Sequence, residues 1–509
     1  MTGQVDDFPT GRRRERRGDS LRRATASRAL PLIAGYGLNL IATPVIASSL
    51  GLAQFGLWAL TGAFVQYGAL LDFGVARSVT RFTALHLAKD DSRAADRVVW
   101  TAATLVAGLA VPVLAVGLVA AGPFARVIGF PDVGAVRAVI GASLLILVTA
   151  QFCTILTGSA YGREIQTLPN AVITICGMAG SALGATAAFL TQDVVVYAWV
   201  VGGWNAVTLL AIAVVVHARI AHLRPTKPSW ATLKELASFG LKGQSLLMAE
   251  LIVIQASKVL LGVVSGAAAA GAYELGSRLA LGFRTLGGLF LGALTAPLTR
   301  SFSERGVPGA KDYAEQLTTK VTTLSIAPPL LGLALAPALL TLWLGNYETL
   351  TLVTMMALCL AFTTDSLMGV QGVLADAIGR PGLRARAAIV SAVLSVVLGI
   401  LLLRAVGSTG LLTGIVVATF LAWVYFISLV QPAVGSTQKR YYTLIIGPGV
   451  LGLGATVLAL LSTLWLPGAD RLEGALAVAV GSVVFLGSYL TTAVMRGYLP
   501  RHYFTWPLK

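Results

Sequence analysis

The sequence predicts an all-α, polytopic membrane protein, and three observations carry that prediction. Hydrophobic residues fill 56% of the 509 positions and charged ones only 12%, about half the charged share of an ordinary soluble domain. Apolar runs recur at the length that spans about 30 Å of hydrocarbon. The segments between them gather arginine and lysine on alternate sides, as loops facing the cytoplasm do.

Each element follows from an apolar run and the polar break after it. About fourteen transmembrane helices are expected, at 28–49, 55–76, 98–121, 137–161, 168–190, 193–217, 236–263, 271–298, 320–343, 348–378, 385–403, 408–430, 442–466 and 472–494. Residues 1–27 contain GRRRERRGDSLRR and read as a basic cytoplasmic tail. The run behind them is too long for a signal-peptide core and lacks a clear cleavage site, so the first helix is expected to stay uncleaved. Helices one to six form a first lobe over 28–218, and a cytoplasmic linker follows at 219–235. Helices seven to twelve form a second lobe over 236–432, a further helix pair occupies 442–495, and 496–509 is a cytoplasmic tail.

Charge tests this count. With both termini in the cytoplasm, inward segments hold about 31 of the 38 lysines and arginines, and outward ones hold four: Arg126, Arg137, Arg404 and Arg471. Removing one helix would invert every later loop and scramble the contrast. The same asymmetry accounts for the formal charge of +16 without a nucleic-acid partner. Outward loops are short, the longest at about 122–136, which argues against enzymes that need a catalytic domain outside the membrane. Cys153, Cys176 and Cys359 lie inside apolar spans without paired spacing, so neither a disulfide frame nor a metal site is expected. His86, His217, His222 and His502 are scattered along the cytoplasmic side. No GxxxxGK[ST] sequence is present, so ATP hydrolysis is not expected; nor is a cofactor.

Two internal patterns point toward function. SSLGLAQFGLWAL (48–60) and VSGAAAAGAYELG (264–276) each follow the first helix of a lobe, as a small-residue turn leading into a glycine and an aromatic: Gly56 with Trp58, and Gly271 with Tyr273. Six helices per lobe preserve orientation, so the repeat is parallel and a substrate path is expected between the lobes. The second pattern is charge inside helices. AELIVIQASKVLLGVV (249–264) places Lys258 within an apolar run, and Arg278 and Arg284 follow in the next helix.

An ionised group at that depth costs a few kcal/mol unless it meets a counter-charge or water. Two readings stand. Lys258 and Glu274 lie at comparable depth and can form a structural pair, with Glu274 also four residues before Arg278 in the favourable helical order. That pairing does not account for Arg284, about 120° round the helix from Arg278. Alternatively, three cations against Glu250 and Glu274 leave surplus positive charge, suited to a hydrated cavity that holds an anion. Asp365 and Asp376 on helix ten are less easily paired, whereas Asp72 is expected in a structural pair with Arg28 or Arg77.

The stretch LGLAQFGLWALTGAFVQYGALLDFGVARSVTRF (50–82), echoed by AAAAGAYELGSRLALGF in the second half, resembles a known family. These segments are similar to polysaccharide exporters of the multidrug/oligosaccharidyl-lipid/polysaccharide (MOP) superfamily, the Wzx-type flippases. The resemblance covers the first twelve helices, and the last two would be the extra pair that some members carry. It implies a MATE-like fold of two six-helix lobes around a cationic cavity. Such a protein turns an undecaprenyl-diphosphate-linked oligosaccharide from the inner to the outer leaflet of the bacterial cell membrane by alternating access, for polysaccharide export.

On that reading Lys258, Arg278 and Arg284 bind the diphosphate, with Arg28 and Arg81 assisting at the inner mouth. Glu250, Asp365 or Asp376 would carry a coupling proton or sodium ion. The expected partners are the lipid-linked oligosaccharide, the bilayer and polysaccharide polymerase machinery; enzyme activity is not expected. A flippase for the peptidoglycan precursor lipid II is the nearest alternative, although helix one has no arginine beyond Arg28. A drug/cation antiporter is disfavoured because residues 29–50 contain no acid. From another class, a membrane-embedded sugar transferase would need carboxylates or a His-rich loop at a membrane face.

Overall fold

The computed structural model describes residues 12–69, 74–220, 222–242, 248–249, 251–463 and 470–500, with side chains omitted at 12–36, 69, 75–76 and 239–242. Asp72 and Glu250 therefore lie outside the described residues. The first half holds α1 (Arg12–Ala69), α2 (Val75–Leu87), α3 (Ser92–Val127), α4 (Val133–Gly162), α5 (Thr167–Thr191), α6 (Val194–Val215) and α7 (Trp230–Lys242). The second half holds α8 (Ser257–Ser265), α9 (Ala267–Gly292), α10 (Thr295–Ala334), α11 (Ala336–Leu344), α12 (Thr349–Ala377), α13 (Gly382–Val406) and α14 (Ser408–Ala433). Two further helices follow, α15 (Gln438–Thr463) and α16 (Arg471–Met495). No strand occurs among the described residues. A helix bonds its own backbone N–H and C=O groups, which hydrocarbon cannot solvate.

Among the described residues, eleven helical segments are long and apolar enough to cross a membrane. Two of them contain two crossings each, since 37–68 reverses at Gly51 and 267–334 reverses at Gly306, and the short apolar Ile252–Ser265 adds one more. The fourteen crossings expected from the sequence are thereby recovered, and the chain is a multi-pass membrane protein. Gly51 (φ 73°, ψ 161°) and Gly266 (φ 87°, ψ 171°) share a backbone conformation that only glycine adopts without strain. Each turns the chain from the first helix of its half into the second.

The agreement between these two turns is part of a longer register. Positive-φ residues at five turns of the first half, Gly51, Asp90, Gly129, Glu164 and Gln192, recur in the second at Gly266, Gly306, Gly345, Gly379 and Gly407, whereas Gly74 before α2 has no such counterpart. Each pair is separated by 215 or 216 positions. Turns that recur in order at a constant offset are the backbone signature of an internal repeat, and here the repeat runs in the same direction in both halves. On the side away from the basic loops, Asp132, Asp193 and Asp470 cap α4, α6 and α16 by accepting from Ala135, Val195 and Glu473 N–H, a role suited to a short acceptor at a helix N-terminus.

The chain folds as two compact units. The first comprises Met1–Ser49, Phe64–Pro123 and Asp132–Gln244, and the second Leu50–Ala63, Phe124–Pro131 and Ser245–Lys509. In the first unit, the extended linker 222–229 is strapped to α3: Asp96 accepts from Arg224 N–H and pairs with Arg163, each at 3.3 Å, and Thr101 accepts from Ser229 N–H. Linker helix α7 is tied to α2 by the Ser78 hydroxyl, which donates to the Leu236 carbonyl. In the second unit, the C-terminal helix pair is anchored by buried hydroxyls. Tyr489 donates to the Thr323 carbonyl at 2.7 Å, and Tyr441 donates to the Leu367 carbonyl at 2.9 Å.

Two helices expected to be regular are not. The span expected at 236–263 passes through a wide π turn at Ile252–Ala256 that runs directly into α8, while the one expected at 320–343 breaks at Leu335, with Pro337 in the first turn of the next helix. Mean hydropathy registers neither feature, because Gln255 alone interrupts the apolar run at the first and Pro337 lies within an otherwise apolar run at the second. Close helix contacts at glycine hold the second unit together. A Cβ at Gly276 would collide with the Thr351 carbonyl and approach Met355 N at 3.0 Å, whereas Gly282 faces open space. Gly276→Leu is expected to cost about 1–3 kcal/mol or more through overpacking. It should lower the unfolding midpoint in detergent by several degrees, while Gly282→Leu leaves it near that of the parent.

Candidate functional site

The π turn before α8 sets the position of Lys258. Tyr273, fully buried on α9, donates its hydroxyl to the Ile254 carbonyl inside that turn at 3.0 Å, so α8 and α9 are locked in register where the charges lie. Lys258 Nζ then meets Glu274 Oε2 at 2.7 Å, and Arg278 Nε, one helical turn beyond, meets Glu274 Oε1 at 2.9 Å. The Lys258 side chain is 3% exposed and that of Arg278 29%. Phe55, brought to this cluster by the second part of α1, lies with its ring centroid 5.6 Å from the Arg278 guanidinium carbon. One carboxylate thus serves two cations, with an aromatic face opposite the more exposed one.

Arg284 belongs to a different cluster. Its Nε and a terminal nitrogen both lie 3.1 Å from Asp365 Oδ2 on α12, and its guanidinium carbon is 5.1 Å from the Phe362 ring centroid. These two side chains are 27% and 33% exposed, and they face a cavity inside the second unit with an empty volume of about 700 Å³, its open mouth included. The walls are largely apolar, from Val253, Leu358, Phe362 and Ile415, and Arg384 supplies a further cation. Arg384 is also 3.6 Å from Asp376.

This geometry revises the charge reading. The structural pair between Lys258 and Glu274 is present, and so is the helical pair with Arg278. The surplus of cations over carboxylates expected for Lys258, Arg278 and Arg284 does not survive as stated, because each meets a carboxylate. The reason is that Asp365 and Asp376, judged hard to pair, reach Arg284 and Arg384 from a neighbouring helix. Among the described groups, four cations face three carboxylates. Arg81 lies on α2 in the first unit, exposed, with its guanidinium 5.7 Å from the Phe82 ring. Arg28 lies within α1, its side chain not described.

The repeat shows how unequal the halves are. At an offset of 215, Lys258 corresponds to Thr43, Glu274 to Ala59, Arg278 to Ala63 and Arg284 to Ala69. All four charges have small neutral counterparts, so this charge machinery belongs to the second repeat alone. Sequence reading missed Arg384, one of the many arginines between expected helices, and also Phe55 and Phe362, which look like any aromatic in a span. The register of the two halves was the available signal, since it marks where one repeat departs from the other.

Removing the shared carboxylate tests the division into a structural and an exchangeable cluster. Glu274→Gln leaves the ammonium of Lys258 without its anion, a change worth about 3–5 kcal/mol for a buried pair. Lower yield and a lower unfolding midpoint are expected, with substantial recovery when Lys258→Met is added. Asp365→Asn, at a pair about one-third exposed, should shift the midpoint far less.

Comparison with known proteins supports the architecture. No curated protein sequence matches the chain. Among solved structures, the lipid II flippase MurJ in an inward closed conformation aligns with a TM-score of 0.67 at 11% identity, covering 91% of this chain and 98% of that one. An inward-facing multidrug resistance MATE family transporter of the MOP superfamily aligns with a TM-score of 0.64 at 18% identity, covering 81% and 98%. A MOP superfamily transporter from Pyrococcus furiosus aligns with a TM-score of 0.52 at 19% identity, covering 80% and 94%. At these identities the likeness is one of fold, and it fits the two-repeat, all-helical architecture. The family model described as polysaccharide biosynthesis protein matches residues 21–293, more than half of the chain, and the protein belongs to that family.

Proposed function

We propose that the protein flips a lipid-linked oligosaccharide, carried on undecaprenyl diphosphate, from the inner to the outer leaflet of a bacterial cell membrane by alternating access. The observation that carries this reading is the cavity of the second unit, where Arg284 and Arg384 stand among apolar walls. Arginine suits phosphate because its planar fork donates charge-assisted hydrogen bonds in pairs. Family membership and the likeness of fold to the lipid II flippase and MATE structures support the same class of transport.

In this mechanism the phosphate takes a place now held by a carboxylate. Coulomb attraction at 4 Å falls to about 1 kcal/mol in water, so the partly exposed Arg284–Asp365 pair can exchange its anion, while the buried Lys258–Glu274 pair cannot do so cheaply. Arg284 therefore contacts the diphosphate with Arg384 beside it, Arg278, more exposed than Lys258, joins them, and Lys258 acts by holding Glu274. Arg28 and Arg81 assist on the cytoplasmic side, where both termini lie. Asp365, once released from Arg284, is left without its counter-charge, and it is the leading candidate for ion coupling ahead of Asp376 and Glu250. The protein transports its substrate without altering it covalently and delivers it to polymerase machinery.

Proteoliposomes loaded with an undecaprenyl-diphosphate oligosaccharide test the reading. Arg284→Gln is expected to lower the flipping rate at least tenfold at equal protein density, and an unchanged rate would remove Arg284 from the mechanism. The parent rate should fall when proton and sodium gradients are collapsed. Lipid II presented in the same vesicles should move more slowly, and faster movement of lipid II would transfer the assignment to that head group.

A further inference from the structure

Within the second unit, two short stretches related by the repeat cross at their glycines. A Cβ placed on Gly56 would overlap the carbonyl of Ala267, and one placed on Gly271 would lie 2.6 Å from the carbonyl oxygen of Leu52. Leu52 and Ala267 each follow the turn glycine of their repeat, and Gly56 and Gly271 each lie five residues beyond it. The contact is therefore its own image under the repeat, as an isologous contact is across a two-fold axis. Leu60 closes over Gly262, where an added Cβ would come within 2.6 Å of a leucine methyl. Phe55, Leu60 and Ala63 are 1%, 0% and 0% exposed, so the crossing is sealed. It lies beside the Gly51 and Gly266 turns, on the membrane face away from the basic loops.

One asymmetric device sits on this symmetric contact. Phe55 precedes Gly56 and places its ring against Arg278, whereas its repeat counterpart is Ala270, which has no ring. The helix that carries Phe55 passes from the second compact unit into the first after Ala63, so a movement of that helix is delivered directly to the ring. At the glycines themselves the two backbones meet directly, through Cα–H to carbonyl contacts that are individually weak.

We propose that Phe55 is a positioning residue for Arg278. It holds the guanidinium against Glu274 while the Gly56–Gly271 crossing is closed, and it releases the guanidinium toward a phosphate when the crossing parts. The ring face attracts the cation, so its departure leaves Glu274 as a monodentate anchor and frees the exposed side of the fork. Arg278 is thereby matched to the substrate on one side of the transport cycle and withdrawn on the other. The role given to the phosphate rests on the function proposed above, whereas the closure and the shielding do not.

The experiment uses the full-length protein in vesicles, with Cys153, Cys176 and Cys359 replaced by alanine and Ala63→Cys as reporter. Two rates are measured without substrate: labelling by a membrane-impermeant maleimide from the face away from the basic loops, and modification of Arg278 by phenylglyoxal, located by mass spectrometry. Gly56→Leu and Gly56→Ala, either of which places a Cβ on the Ala267 carbonyl, are each expected to raise both at least tenfold, in protein that elutes as the parent does on gel filtration. Phe55→Leu is expected to leave maleimide labelling at the parent rate while raising Arg278 modification at least threefold. Unchanged maleimide labelling in both glycine variants would overturn the closing role of the crossing, and an unchanged Arg278 rate in Phe55→Leu would overturn the positioning role. Neither readout uses a lipid-linked glycan, so its failure is distinct from a failure of the flipping assay.

Discussion

An ammonium group that is 3% exposed inside a membrane helix has to be matched by an anion, and Glu274 provides one to Lys258 at 2.7 Å. Much of the second unit is arranged around that requirement. The π turn before α8 and the hydroxyl of Tyr273 set the depth at which the two helices meet, and the same carboxylate then anchors Arg278 one turn further on. A buried charge network of this kind narrows the ways in which α8 and α9 can pack, since a shift of one residue would strand a charge in hydrocarbon. Charge here acts first as a register device, and recognition is built beside it.

The two clusters differ in what they can do. Lys258–Glu274 is enclosed and geometrically tight, so it is a fixed part of the scaffold. Arg284–Asp365 faces a cavity, retains about a third of its exposure and has a second arginine nearby. Solvent screening weakens such a pair and lets another anion compete for it. On the function proposed above, fixed charge next to exchangeable charge suits a site that binds a phosphate and then lets it go. The apolar cavity walls and the surrounding bilayer suit the hydrocarbon part of an amphiphilic substrate.

The internal repeat supplies the other half of the design. Five turns recur at an offset of 215 or 216 positions, and the Gly56–Gly271 crossing is reproduced by that operation. Yet every charge in the Lys258, Glu274, Arg278 and Arg284 set has a small neutral residue at the equivalent place. A symmetric frame with chemistry on one repeat separates the two requirements of transport, because closing contacts can stay matched across the repeat while recognition evolves on one side. Phe55 lies where these meet, being an unmatched aromatic next to a matched glycine.

The sequence by itself determined the environment, the number of crossings and the repeat. These depend on local hydropathy, on loop charge and on turn glycines, each legible along a single stretch of chain. It also marked Lys258, Arg278 and Arg284 as costly residues and offered Glu274 as partner of Lys258 and Arg278 as one of two readings, because helical spacing relates neighbours on one helix or on adjacent ones. Only the tertiary structure decided that Asp365 reaches Arg284 from 81 positions away, that Arg384 lines the cavity, and that Phe55 faces Arg278. Contacts between helices distant in the chain depend on packing angle and rotation, and an apolar stretch presents much the same hydropathy on every face. The π turn at Ile252–Ala256 and the break at Leu335 were hidden because hydropathy does not report helix pitch, and Pro337, tolerated in membrane helices, does not by itself mark a stop.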